Sequence, residues 1–368
     1  MRKNISTILL LLFLSFQLNA QESDSPEYLC RNDEEEESES FLRAKEHLNK
    51  GISLYKAADY TGAAQEFSAA TYLQPSLFAG QFNLGATYLL LKDFEKAREA
   101  LRIAVELDDH SAKAWQYLAD TNYRLKHTDD AVECYRKAAA IDKKSNEASV
   151  RLGRLLLSLG RFEEAEVELK NALTINPNER HAIEGLCAAY ALESKSQEGV
   201  RQCTEAQNRF GSYAASYYLG WSYLDLGKFT EALTPLQKAM QAEPKKAEPY
   251  LAVAEAYSRL QQYKQALPYI RTALQVNSKS HLAYGSLGYV YARMKKKREA
   301  RTAYETALKL SPDTPTTLRY NLAITCLMLN NRECALEQYS LIKSSGPGLS
   351  DQLFDLIFGS KVVRVARQ

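Results

Sequence analysis

The sequence lacks the short motifs on which most enzymatic and metal sites are built. It contains no Cys-x-x-Cys pair, no glycine-rich phosphate-binding loop and no Gly-x-Ser-x-Gly nucleophile motif. Only five histidines occur, at His47, His110, His127, His181 and His281. None stands at metal-ligand spacing from another histidine or from a cysteine. These absences predict a protein with no catalytic residues, no metal site and no cofactor.

Long apolar runs are also absent after the N-terminus. The chain begins with basic Arg2 and Lys3, an apolar run from Ile5 to about Leu18, and the small residue Ala20. This is the layout of a secretory signal peptide, and the run is short for a membrane-spanning helix. We therefore predict a signal peptide over residues 1–20, cleaved near Ala20, and export to the periplasm or the extracellular space. An uncleaved N-terminal anchor is the alternative, because Leu18 would occupy position −3 of the cleavage site and is not well suited to cleavage there.

Charge is unevenly distributed along the chain. Residues 21–40 carry nine acidic side chains and one basic side chain, Arg31. Because such a segment repels itself and has no apolar periodicity, we predict a disordered acidic leader. From Phe41 onward, 44 basic residues stand against 36 acidic residues, a net charge of +8, whereas the whole chain carries only +2. The near-neutral total and the export signal disfavour nucleic-acid binding.

A pattern of three residues recurs about every 34 positions along the rest of the chain. A small residue is followed twelve positions later by Ala or Gly, and the next member, four positions further, is bulky in nearly every copy. The first, small position of the pattern occurs nine times, from Gly51 to Ala323. Successive copies are 34 residues apart, except for one step of 33, from Cys187 to Gly220, and one of 35, from Gly288 to Ala323. Small residues let two helices approach closely, and a single hairpin leaves apolar surface uncovered. The pattern therefore predicts about nine stacked helix-turn-helix units.

This spacing resembles that of the tetratricopeptide repeat family, over about nine units within residues 41–348. The resemblance implies an all-α fold, a right-handed superhelical solenoid. In residues 349–368, Leu349, Leu353 and Ile357 have the spacing of a short amphipathic helix. We predict that this helix caps the last repeat, as the ends of solenoids require. For residues 361–368 a frayed tail is the alternative.

The fifth unit departs most from the pattern, with Cys187 at the small position and Cys203 at the bulky position. Because these two positions face each other in the other units, we predict a disulfide between them, closing a loop of about 16 residues. Two buried free thiols are the alternative. Cys326 and Cys334 flank the turn of the ninth hairpin and form a second candidate pair.

The resemblance also implies where a partner would bind, namely along an inner wall made of the first helix of each unit. Tyr, Trp and Arg recur at the positions that the family places on this wall, and these side chains are enriched at binding hot spots. The predicted partner-binding residues are Tyr117, Tyr123, Arg124, Arg151, Arg154, Tyr217, Tyr218, Trp221, Arg259, Tyr289, Arg293, Arg319 and Tyr320. For each tyrosine, packing between repeats is the alternative.

Together these observations predict a non-enzymatic, exported scaffold that binds a protein or peptide partner. An envelope assembly or an export system is the expected setting. Two other function classes stay open. One is a carbohydrate- or polymer-binding module, because Tyr and Trp rings also stack on sugars, and the other is a regulatory subunit of a separate enzyme.

Overall fold

The computed structural model describes residues 39–311, 316–343 and 347–365. The predicted signal peptide and almost all of the predicted leader lie outside these residues. The described part of the chain is built of helices and contains no strand. No helix in it combines the length and the apolar character that crossing a membrane requires.

Nineteen helices follow one another in the described residues. They are α1 (Glu39–Lys56), α2 (Tyr60–Leu73), α3 (Phe78–Leu90), α4 (Phe94–Leu107), α5 (Ala112–Arg124), α6 (Thr128–Ile141), α7 (Glu147–Ser158), α8 (Phe162–Ile175), α9 (Arg180–Leu192), α10 (Ser196–Phe210), α11 (Tyr213–Asp225), α12 (Phe229–Ala242), α13 (Glu248–Arg259), α14 (Tyr263–Val276), α15 (His281–Arg293), α16 (Lys297–Leu310), α17 (Thr316–Met328), α18 (Arg332–Ile342) and α19 (Pro347–Val365). The odd-numbered helices from α1 to α17 are the first helices of nine hairpins, and the even-numbered helices are their second helices.

The first helix begins inside the segment that we predicted to be a disordered leader. Glu39 and Ser40 belong to α1, so that prediction is wrong for these two residues. Arg43 Nη2 donates to Glu39 Oε1 at 2.5 Å, one helical turn away. This i,i+4 pair and the negative charge at the helix N-terminus both favour the earlier start.

The described residues form two compact units, which meet in sequence within α9. We call them the N-terminal unit, up to Leu186, and the C-terminal unit, from Cys187 onward. In the N-terminal unit, α1 contacts α3 and α3 contacts α5. In the C-terminal unit, α11, α13, α15 and α17 contact one another in the same stepwise way. Each unit therefore sets its first helices side by side.

Small and bulky positions meet inside the hairpins. A Cβ atom added to Gly220 would lie 2.4 Å from Leu236 Cγ, and one added to Gly85 would lie 2.5 Å from Leu101 Cγ. Both leucines are fully buried. Real Cβ atoms essentially never approach so closely, so one added methyl group at these points would displace the leucine side chain or the helix that carries it.

The turn inside each hairpin contains one residue in the left-handed backbone region, with φ between 59° and 73°. These residues are Ala58, Lys92, Lys126, Gly160, Ser194, Gly227, Gln261, Lys295 and Asn330. Only two of the nine are glycines, and a left-handed conformation costs another residue on the order of 1 kcal/mol. Backbone hydrogen bonds hold the turn, as where Lys126 N donates to Tyr123 O at 3.1 Å and His127 N donates to Asn122 O at 2.9 Å.

Helix α19 covers the end of the last hairpin. Its Leu353 and Ile357 are 0% and 5% exposed and pack in one apolar cluster with Leu322, Cys326 and Ile342 of α17 and α18. The helix begins at Pro347, two residues before the predicted cap, and continues to Val365. It thus closes the apolar surface that the ninth hairpin would otherwise leave open.

Candidate functional site

A charged network joins α5, α6 and α7 of the N-terminal unit. Arg151 Nη1 donates to Asp120 Oδ2 at 3.0 Å, and its Nη2 donates to Glu147 Oε1 at 2.7 Å. The hydroxyl of Tyr135 donates to the same Asp120 carboxylate. The side chains of Arg151 and Asp120 are only 25% and 20% exposed. Arg151, a predicted partner-binding residue, is therefore engaged within the protein.

Burial sets the electrostatics of this network. It raises the pKa of Asp120 even though the Arg151 guanidinium acts in the opposite direction. Burial disfavours the charge of Arg151, but the carboxylates of Asp120 and Glu147 outweigh it and raise the pKa of that guanidinium. The pKa of Arg154, one turn further along α7, is lowered by burial and by the neighbouring Arg151 charge. An acidic group of a partner would stabilise the charge on Arg154.

The other predicted residues of the N-terminal unit lie on α5. The Tyr117 ring packs edge-to-face against Phe82 of α3, with ring centroids 5.3 Å apart. Tyr123 is half-buried, and Lys126 Nζ lies 5.8 Å from its ring centroid. Arg124, at the last position of α5, is exposed. Tyr117 therefore packs between repeats, and Arg124 offers the more open surface.

An aromatic row runs along α11 of the C-terminal unit. Tyr217 stacks with Tyr213 at 5.7 Å and with Trp221 at 6.5 Å between ring centroids. Tyr218 meets Tyr217 edge-on at 5.4 Å. Tyr217 and Tyr218 are each 5% exposed, whereas Tyr213 and Trp221 are half-buried. The two inner tyrosines thus offer a partner little surface, and Trp221 offers more.

Further along the C-terminal unit, the first helices carry three exposed residues from the predicted set. Tyr289 of α15 is 39% exposed. Arg259 of α13 is exposed and pairs with Glu255 at 3.2 Å. Arg293 of α15 is also exposed, and its Nε donates to the Tyr263 hydroxyl at 2.9 Å. The remaining two residues, Arg319 and Tyr320 of α17, are half-buried. Exposed predicted residues therefore occur on α13 and α15, and α13 contacts α11, the helix that carries Trp221.

Family models for the tetratricopeptide repeat match the chain in several places. One matches residues 122–190 and 223–288, a second matches residues 281–314, and a third matches residues 48–112. Together the matches cover more than half of the chain. This chain belongs to the tetratricopeptide repeat family. The prediction from spacing alone is thereby confirmed, as is the all-α repeat fold, which is a scaffold for protein interactions.

Relatives in the tetratricopeptide repeat family are distant. The BBSome complex member BBS4 of Bos taurus is 25% identical over 245 residues, which cover 57% of this chain and 47% of that protein. The anaphase-promoting complex subunit 7 of Mus musculus is 24% identical over 231 residues, which cover 61% of this chain and 40% of that protein. This chain thus spans less than half the length of these two relatives.

Solved tetratricopeptide repeat structures share the fold. A tetratricopeptide repeat protein from Parabacteroides merdae has a TM-score of 0.52 and 16% identity, covering 68% of this chain and 99% of its own. The protein pilF of Pseudomonas aeruginosa has a TM-score of 0.51 and 19% identity, covering 57% of this chain and 96% of its own. At these identities the likeness shows the fold alone.

A disulfide joins the two helices of the fifth repeat, at the place where the other repeats have a contact between a small and a bulky residue. The sulfur atoms of Cys187 in α9 and Cys203 in α10 are 2.03 Å apart, and the Cα atoms are 4.8 Å apart. A second disulfide joins Cys326 of α17 to Cys334 of α18. Cys134 in α6 is a buried free thiol, and burial raises its pKa to about 11. A thiol with such a pKa is a poor nucleophile, so Cys134 has a packing role.

Reasoning from the tetratricopeptide repeat pattern missed two acidic features. Asp108, Asp109 and His110 bring a possible ligand atom from each side chain within 4.8 Å of one another. Exposed acidic groups of this kind are common without an ion, so the cluster carries no metal assignment. Glu248 of α13 has a buried carboxylate oxygen, Oε2, that accepts no hydrogen bond from any of the described residues. No motif marks Glu248, because its neighbours come from another repeat.

Proposed function

We propose that this tetratricopeptide repeat protein is an exported, non-enzymatic scaffold that binds a protein or peptide along the faces of its first helices. The observation that carries the proposal is the order of side chains in the C-terminal unit. Trp221 on α11, Arg259 on α13 and Tyr289 on α15 occupy helices that contact one another in that sequence. An extended peptide crossing these helices meets an aromatic or arginine side chain at each step.

Two further observations support a protein partner. The relatives in Bos taurus and Mus musculus are named as members of a complex, the BBSome and the anaphase-promoting complex. The Arg293 guanidinium lies 5.5 Å from the centroid of the Tyr263 ring, Arg259 occupies the neighbouring first helix, and guanidinium groups suit the carbonyl and carboxylate groups of a polypeptide. With export, such a scaffold would belong to an assembly of the cell envelope or to an export system.

Site-specific photocrosslinking tests the binding face. Tyr289 lies on a first helix, whereas Tyr72, which is 87% exposed, lies near the end of the second helix α2. We expect p-benzoylphenylalanine at position 289 to form a defined adduct in cells of the source organism. The same group at position 72 should form none, although it is more accessible. Adducts of equal yield at both positions would show that the first helices are not the binding face, and an adduct with a glycan would favour the carbohydrate-binding alternative.

Export has its own test. Disulfides persist mainly in oxidising compartments, so the Cys187–Cys203 and Cys326–Cys334 bonds support this part of the proposal. We expect the protein purified from its source cells to begin at Gln21, as determined by mass spectrometry of the N-terminal peptide. A protein that retains Met1 and fractionates with the membrane would instead show the uncleaved anchor.

A further inference from the structure

Four consecutive basic residues form the end of the turn between α15 and α16 and the first two positions of α16. They are Lys295, Lys296, Lys297 and Arg298, which we call the basic turn. No other hairpin turn has more than one lysine or arginine at the four corresponding positions, counted from its left-handed residue. The eighth hairpin therefore concentrates positive charge at a place where the repeat pattern does not require it.

The basic turn is accessible, and the protein does not neutralise its charge. Three of its four residues are exposed, and Lys297 is half-buried. The nearest ion pair along the chain joins Arg301 to Glu305, outside the turn. Among the residues that the structure describes, no carboxylate pairs with any cation of the basic turn. Because neighbouring like charges repel one another, a bound anion would stabilise this part of the protein.

Hydrogen bonds place the basic turn beside the turns of the two neighbouring hairpins. Lys297 Nζ donates to the main-chain oxygen of Met328, at the end of α17, at 2.8 Å. On the other side, Arg293 Nε, at the end of α15, donates to the hydroxyl of Tyr263, at the start of α14, at 2.9 Å. Both acceptors are uncharged, so these bonds position the cations without neutralising them. The turns of the seventh, eighth and ninth hairpins thus lie along one edge of the C-terminal unit.

Met328 adds an apolar side chain to this edge. It is 37% exposed, and the bond from Lys297 to its main-chain oxygen places it directly beside the basic turn. Exposed lysines next to an exposed apolar side chain suit a membrane surface, where apolar groups enter the boundary between headgroups and acyl chains.

The type of cation also favours a membrane surface. Lysine is a point charge on a flexible stem, so it can approach lipid phosphates in many arrangements. Directional recognition of a single carboxylate or phosphate favours the planar guanidinium of arginine instead. Only one of the four cations, Arg298, is an arginine.

We propose that the basic turn binds the anionic phosphate surface of a lipid bilayer, with Met328 at the headgroup boundary. Each cation near such a surface raises the partition coefficient roughly fivefold, so several together support attachment. The attachment is peripheral and needs no helix that crosses the bilayer. This inference goes beyond the proposed function, because the basic turn lies outside the first helices that a peptide would cross.

Vesicle co-sedimentation tests the proposal with the protein purified from its source cells. The probes are vesicles of phosphatidylcholine alone and vesicles of phosphatidylcholine mixed with anionic phosphatidylglycerol. We expect the protein to sediment with the mixed vesicles and far less with phosphatidylcholine alone. Added salt should release it, because ions screen exposed charges. Equal sedimentation with the two kinds of vesicle would overturn the proposal.

The turn of the seventh hairpin supplies the design of the variant. Gln261 and Gln262 occupy the places that Lys295 and Lys296 occupy in the eighth hairpin, so glutamine suits this backbone, including its left-handed residue. Since each cation contributes roughly fivefold, we expect Lys295→Gln/Lys296→Gln to lower the partition coefficient on the mixed vesicles about 25-fold.

Lys245→Gln/Lys279→Gln is the matched control for this variant. Both lysines are exposed in loops that join successive hairpins of the C-terminal unit, at the other end of the helices from the turns. The control loses the same two charges, and we expect its partition coefficient to equal that of the unsubstituted protein. Equal losses in the two variants would contradict the proposal. Matching circular dichroism spectra and melting temperatures show that each variant is folded.

An acidic polypeptide is the competing ligand, and beads that carry poly-glutamate measure its binding. If the beads retained the protein through Lys295 and Lys296 while anionic vesicles did not sediment it, the membrane proposal would be overturned in favour of an acidic protein. Sedimentation with anionic vesicles that is lost in Lys295→Gln/Lys296→Gln supports the membrane surface.

Discussion

Removing the Cys187–Cys203 disulfide is expected to lower the free energy of unfolding by about 3 kcal/mol. The bond closes a loop with a sequence separation of 16, and both cysteines are fully buried. The fifth hairpin also lacks the bulky side chain that fills this place in its neighbours, so little packing remains once the bond is gone. Urea denaturation of the Cys187→Ala/Cys203→Ala variant, followed by circular dichroism, measures the loss. A background of Cys326→Ala/Cys334→Ala removes the second disulfide from the comparison.

The seventh repeat supplies the control for this experiment. There, Ala254 and fully buried Ile270 occupy the two positions that the cysteines occupy in the fifth repeat. We expect Cys187→Ala/Cys203→Ile to recover most of the lost stability and to be insensitive to reductant. If Cys187→Ala/Cys203→Ala were as stable as the oxidised protein, the disulfide would have no stabilising role.

Replacing Arg151 by alanine is expected to lower the free energy of unfolding by about 2–3 kcal/mol, because it breaks a partly buried ion pair. Breaking a buried ion pair leaves an uncompensated charge, here that of Asp120, and the partial exposure of both side chains reduces the usual penalty. Arg136→Ala is the matched control. Arg136 also bonds two carboxylates, those of Glu133 and Glu164, but its side chain is 40% exposed. We expect that variant to stay within about 0.5 kcal/mol of the unsubstituted protein.

The loss in Arg151→Ala should depend on pH in a defined direction. Burial already holds the pKa of Asp120 above its ordinary value of 3.8, and loss of the guanidinium raises it further. A carboxyl group whose folded pKa is raised stabilises the protein below its unfolded pKa, and this contribution is lost as the pH rises through the folded pKa. The difference between the variant and the unsubstituted protein is therefore largest at neutral pH and shrinks in acid. Denaturation curves at several pH values check this, and a difference that grew in acid would contradict it.

The repeat register was predictable because it follows from local steric rules. A small residue on one helix and a bulky one on the next, 16 positions apart, identify their contact without any knowledge of the rest of the fold. Gly220 and Leu236 meet in this way. The same reasoning placed Cys187 opposite Cys203, where the structure has the disulfide.

Side-chain exposure on the first helices was less predictable. Spacing assigns Tyr217 and Tyr218 to a face, but the neighbouring rings and helix α13 determine how much of each is covered. The left-handed backbone of the hairpin turns was also hard to predict from the sequence, since only Gly160 and Gly227 among the nine left-handed positions are glycines. Glu248 was missed for a related reason, because its environment is created by residues about thirty positions earlier in the chain.

The left-handed turn residues affect the stability of this protein but lie outside the first helices, which form the proposed partner-binding surface. Seven of them, including Lys92, Lys126 and Gln261, are not glycine, and each holds a strained backbone at the tip of a hairpin. Glycine at these positions relieves that strain, although it also increases the freedom of the unfolded chain. The tips do not belong to the first helices, although Lys126 Nζ lies 5.8 Å from the ring centroid of Tyr123, a predicted partner-binding residue. Glycine substitutions at tips such as Lys92 and Gln261 can therefore change the stability of one hairpin at a time without replacing any residue of the first helices.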